Sequence, residues 1–116
     1  MDPIPYFFEN IDRAALVIIP KKPFLDWLIS IEEDIAVGDM WKGSTIYLIP
    51  DYEDEDQMEK WLKRNFDQIF SDQLNNWYID ESCWVPKRTF KMFKEWFDYS
   101  LHDMILDTLE KPIKKI

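Results

Sequence analysis

The chain has 116 residues, 47% of them hydrophobic and 16% aromatic, which suits a single globular domain over residues 1–116 with a real core. Its formal charge of −9, from 23 acidic against 14 basic residues, repels phosphate backbones, so nucleic acid is not expected as a partner. A single cysteine, Cys83, excludes an intramolecular disulfide or a multi-thiol zinc site and favours a cytoplasmic setting.

Residues 1–12 form a lead-in segment. Pro3 and Pro5 each fix φ and remove a donor, which disfavours helix and central strand, and Tyr6, Phe7 and Phe8 are expected to anchor the segment on the domain. The opening MDPIPYFFEN lacks the basic start and long apolar run of a secretory signal, and no stretch approaches the ~20 apolar residues needed to span a bilayer, so no membrane association is expected.

RAALVII (13–19), closed by Pro20, reads as a first strand. Because the run is continuously apolar rather than alternating, it predicts a strand covered on both faces, as in parallel sheets. Pro23 suits the first turn of a helix, and Phe24, Leu25, Leu28 and Ile29 or Ile31 recur at helical spacing over about three turns. The stretch that follows, SIEEDIAVGDMWKGS, holds Gly38 and Gly43 and is expected to be a loop carrying Trp41. STIYLI (44–49) reads as a second strand, again closed by proline. Strand, helix and strand within about 35 residues is the spacing of a right-handed crossover, so the first two strands are expected to be parallel.

The next helix has the strongest pattern in the chain. Met58, Trp61, Leu62, Phe66, Ile69, Phe70, Leu74 and Trp77 form an apolar stripe, and charged or amide residues fill the opposite face. Asp54, Glu55 and Asp56 stand at its start, where carboxylates cap free N–H groups and favour the helix dipole. The strand–proline–helix plan thus appears twice, Pro20 leading to Trp27-Leu28 and Pro50 to Trp61-Leu62. The proline-to-tryptophan spacings are seven and eleven residues, and their difference is close to one helical turn of about 3.6 residues.

Beyond Asn76, WYIDESCWVPKR is irregular. Thr89 then fits an N-cap for a short helix holding Phe90, Phe93 and Trp96. From Phe97 two periods compete: Phe97, Leu101, Ile105 and Leu109 suit a helix, whereas Phe97 to His102 alternates as a strand does. The strand reading, from about Phe97 to Leu106, is adopted because two strands alone make a marginal sheet. Residues 110–116 are expected to be a loose tail. The expected fold is α+β, a small three-stranded sheet in β-α-β-α-α-β order with the first two strands parallel and helices packed against it.

The chemistry-bearing residues are few. Asp51, Glu53 and Asp54 open an acidic run, but a calcium loop counted from Asp51 would place Asp56 where glycine is needed and Leu62 where a bidentate acid is needed, so no metal site is expected and helix capping is the plainer reading. His102, followed by Asp103, could act as a general base, or with Cys83 as part of a nucleophilic pair; as a lone imidazole it is more simply a surface residue. With two glycines in the chain there is no phosphate cradle, and no cofactor is expected. Lys21-Lys22, Lys87-Arg88 and Lys114-Lys115 are short basic pairs that read as solubilising residues.

Trp41, Trp77, Tyr78 and Trp84 in irregular segments are the features most suggestive of binding, since exposed aromatics dominate interface energetics; the plainer reading is that they lid the core. The proline-closed strand ends also single out Asp51 to Asp56 and Lys21-Lys22, because ligands gather at the carboxyl edge of parallel sheets.

YLIPDYEDEDQMEKWLKRNFDQIF, PFLDWL and FKEWFDYSLHDMILD resemble a family of small acidic bacterial proteins of unknown function, over about Arg13 to Leu109. The resemblance implies a bacterial cytosolic origin and brings no catalytic residues, cofactor or substrate. The function expected is therefore a non-catalytic acidic binding or inhibitory protein acting on a basic protein partner. The alternative is a small enzyme or ligand binder using His102 and nearby carboxylates. Oligomeric state is not legible.

Overall fold

The structure is a computed structural model that describes residues 11–31 and 43–109. In chain order these form β1 (Ala14–Pro20), α1 (Lys22–Ile31), β2 (Thr45–Ile49), α2 (Glu55–Asn75), a 3-10 turn (Glu81–Cys83), α3 (Phe90–Trp96) and β3 (Phe97–His102). The lead-in aromatics, Trp41 and the tail lie outside the described residues. Among those described, the chain is α+β, with helices packed on one face of a three-stranded sheet.

The expected parallel pairing is overturned. β1 is the central strand of the order β2-β1-β3, and both of its neighbours run antiparallel to it, with Ala14 opposite Ile49, and Ala15 and Pro20 opposite His102 and Phe97. The parallel reading took the continuous apolar run as a sign of cover on both faces. Instead Ala14, Leu16, Ile18 and Pro20 are buried beneath the helices, while the other face grades from buried Ala15 through half-buried Val17 to Ile19, 38% exposed. The run is apolar because a central strand is hemmed in by a neighbour on each side. The stretch 32–44 is also long enough to lead into β2 from either end, so its length did not select the crossover.

α2 forms where its apolar period demands. Met58, Leu62, Ile69, Phe70 and Leu74 are buried, the Asp54 side chain accepts from the Gln57 N–H at 2.8 Å, and Glu55 and Asp56 occupy the first turn. The two strand–proline–helix units correspond in packing, since Leu28 and Leu62 are fully buried and Trp27 and Trp61 lie half-buried against the core. Their prolines nevertheless sit at opposite ends of the sheet. Pro20 stands opposite Phe97 while Ile49 stands opposite Ala14, which separates Lys21-Lys22 from the Asp51–Asp56 run by about 20 Å, the rise of six strand residues.

Phe97 is where the layers meet. Its ring lies 5.3 Å from Phe24 of α1, 5.2 Å from Phe70 of α2 and 5.2 Å from Phe93 of α3, all four rings being buried. Thr89 caps α3 through its hydroxyl, which accepts from the Met92 N–H at 3.1 Å, and the helix runs straight into β3 without a loop. Lys21 makes that junction possible. Its backbone N–H donates to the Trp96 carbonyl at 2.8 Å and its Nζ donates to the Lys94 carbonyl at 2.9 Å, satisfying helix-end acceptors with a cation at the negative end of the dipole.

Arg88, read from the sequence as a solubilising residue, fastens the irregular segment after α2 back onto that helix. Its guanidinium donates to Asp67 at 2.7 Å, to Ser71 Oγ at 3.3 Å and to the Val85 carbonyl at 2.9 Å, and lies over the rings of Phe70 and Trp84. The sheet is tied to α2 by two tyrosines. Tyr99 donates to Glu59 at 2.9 Å, and Tyr47 donates to Asp72 at 2.5 Å while accepting from the buried Gln73, which also donates to Thr45.

Phe97→Ala is expected to cost about 3–5 kcal/mol in chemical denaturation, at the upper end for a core aromatic because three helices lose one partner. The tyrosines set an alkaline limit. Burial, then hydrogen bonding to a carboxylate, pushes the Tyr99 phenol up to about 12 from the ordinary 10.0, and the same two causes push Tyr47 up as well. A raised folded-state value favours the neutral phenol, so its contribution is whole below pH 10 and fades as pH climbs toward 12. Melting temperature should therefore fall across that window, and Tyr99→Phe should flatten the fall.

Candidate docking face of the sheet

Side chains alternate across the sheet, and among the described residues the helices pack on one face and none packs on the other. Ala15, Val17 and Ile19 of β1, Ile46 and Leu48 of β2, and Asp98, Ser100 and His102 of β3 share the helix-free face. The register arranges them in rows: Leu48, Ala15 and His102; then Ile46, Val17 and Ser100; then Ile19 beside Asp98. The face thus runs from apolar at β2 to polar at β3. Ile46 is 66% exposed and Leu48 52%, the two most accessible apolar side chains in the strands.

At the polar side, Ser100 Oγ lies 2.8 Å from His102 Nε2, and Asp98 pairs with Lys21 at 3.7 Å. Among the described residues Ser100 is the side-chain hydrogen-bond partner of the His102 imidazole. Asp103, the expected companion of the histidine, instead shares a shallow depression with Asp51, Ile11 and Met104. Cys83 lies in the 3-10 turn, its carbonyl accepting from the Trp27 indole at 2.9 Å, and does not join His102.

The other expected binding residues divide. Trp84 is half-buried, its indole donating to the Tyr78 carbonyl at 2.7 Å, and Tyr78 packs edge-on to Trp27 with centroids 5.9 Å apart; both lid the core. Trp77 falls just past the end of α2 and is 44% exposed, at the rim of a second depression lined by Pro20, Phe24, Thr45, Gln73 and Asn76. Asp54 is occupied as the α2 cap, and Asp51 and Glu53 are solvated. Among the described residues no group of three or more His, Cys, Asp or Glu could hold a metal ion, and no helix is long and apolar enough to cross a membrane. Of the pair marked by the strand ends, Lys21 is committed to the α3 terminus, and Lys22 pairs with Asp26 at 2.9 Å on the surface.

Ile46, Leu48 and Ser100 did not stand out in the sequence. Ser100 was findable, since residues two apart on a strand share a face and His102 follows it at that spacing. Ile46 and Leu48 were not, because an apolar strand residue reveals its exposure only once the covering layer is known.

The chain matches no protein-family model, no curated protein and no solved structure, so the geometry of its own surface carries the functional argument.

Proposed function

We propose that this is a non-catalytic binding protein whose helix-free sheet face docks on a protein partner with a basic surface. The exposure of Ile46 and Leu48, side by side with Val17 and Ile19 on one face, is the observation that supports it most directly. Apolar side chains grouped on a surface favour association, because burying them removes area from water at about 25 cal/mol per Å². The charge of −9 supplies the other half of the reading, steering a basic partner and resisting like-charged proteins. An inhibitor that covers a basic functional surface is one form this takes.

Ile46→Asp and Leu48→Asp should leave the circular dichroism and the melting temperature close to wild type, since both side chains project into solvent. They should abolish recovery of any basic protein that the unmodified chain captures from its native lysate. Equal capture by wild type and both variants would count against the face.

The contact between Ser100 and His102 favours a second reading, a small hydrolase with Ser100 as nucleophile and His102 as base. A fluorophosphonate probe should then label the wild-type chain and not Ser100→Ala; no labelling of either removes that reading.

A further inference from the structure

The outer edge of β2 has no strand neighbour among the described residues, because the sheet order ends there. Edge strands that avoid pairing carry lysine, proline or an inward charge. Thr45–Ile49 carries none of these, whereas the opposite edge strand, β3, bears Asp98 and His102. From this edge and its charge we propose that an extended segment of the partner, alternating apolar residues with lysine or arginine, adds to β2 as a fourth strand. The inference rests on the protein-binding reading and names the chemistry and mode of that binding.

The two faces of the edge ask for different side chains. On the helix-free face, residues of the incoming strand beside Ile46 and Leu48 would extend the apolar rows that already continue into Val17 and Ala15. On the helix side, the position beside Tyr47 would approach Asp72, an exposed carboxylate that accepts from the Tyr47 hydroxyl. Residues 43–51 contain no lysine or arginine to neutralise it, and Asp51 adds a second acid at the end of the strand. An alternating apolar and basic segment meets both demands at the two-residue period of a strand. A second copy of this chain meets them less well, because antiparallel pairing of two β2 strands about Tyr47 would bring two Asp72 carboxylates together.

The test uses the full chain and three labelled eight-residue peptides: valine alternating with lysine, valine alternating with glutamate, and four lysines followed by four valines. The alternating valine–lysine peptide should bind about tenfold or more tightly than either control, and Leu48→Ser should weaken it by about tenfold and Asp72→Asn by severalfold. Amides of Thr45–Ile49 should gain hydrogen-exchange protection on binding, and those of β3 should not. Equal binding of the two lysine peptides, or binding without protection of β2, would overturn strand addition. So would dimerisation of the free chain through β2, read by light scattering over a range of concentrations. If the peptides fail while capture of a basic protein still depends on Ile46 and Leu48, the fourth strand falls and the docking face stands. If capture is also indifferent to those residues, both fall.

Discussion

The placement of Phe97 is the constraint on which the rest of the fold depends. One ring opens β3, stands opposite Pro20 in the register, and touches an aromatic side chain from each of the three described helices. The junction works because Lys21 accepts the task of ending α3 in hydrogen-bond terms, which lets helix become strand within one residue. A chain with such short strands gains its cohesion from large rings at this crossing rather than from the ladder alone.

Because all three described helices converge on Phe97, they lie on the same side of the sheet. On the other side, among the described residues, Ile46, Leu48 and Ile19 are exposed, Val17 is half-buried and Ala15 is buried, in positions set by the register. Polar ties are distributed accordingly. Tyr47, Tyr99, Gln73, Asp72 and Glu59 fasten the sheet to α2 on the helix side, while the helix-free side carries Ile46, Leu48, Val17 and Ile19 in contiguous positions. The fold therefore separates a stabilising face from an available one. That division, together with the charge of −9, is the ground on which the protein-binding proposal stands.

Much of this was legible where the physics is local. The α2 stripe, its Asp54 cap and the Thr89 cap follow from period and side-chain chemistry within a few residues, and a strand opening at Phe97 followed from alternation combined with the need for a third strand, although it ends at His102, where the alternation stops, rather than near Leu106. Strand direction was not legible, because a central antiparallel strand and a two-sided parallel strand can both be continuously apolar. Lys21 and Arg88 were misread as solubilising for a related reason. Their partners lie 73 residues away at Lys94 and 21 residues away at Asp67, beyond any pattern a single window holds. Trp84 and Tyr78 depend on distant partners in the same way: the Trp27 ring and the Arg88 cation pack them onto the core, the plainer of the two readings their sequence allowed.

The central claim is that the two faces of the sheet differ, one sealed by the helices and one presenting exposed Ile46 and Leu48. Methyl-resolved paramagnetic relaxation enhancement by a soluble, uncharged gadolinium chelate measures this directly. Ile46 and Leu48 methyls should broaden strongly, Ile19 less so, and Leu16 and Ile18 hardly at all. Comparable protection of Ile46, Leu48, Leu16 and Ile18 in the free monomer would contradict the account, because the sheet would then be covered on both sides and the face would not be available to a partner.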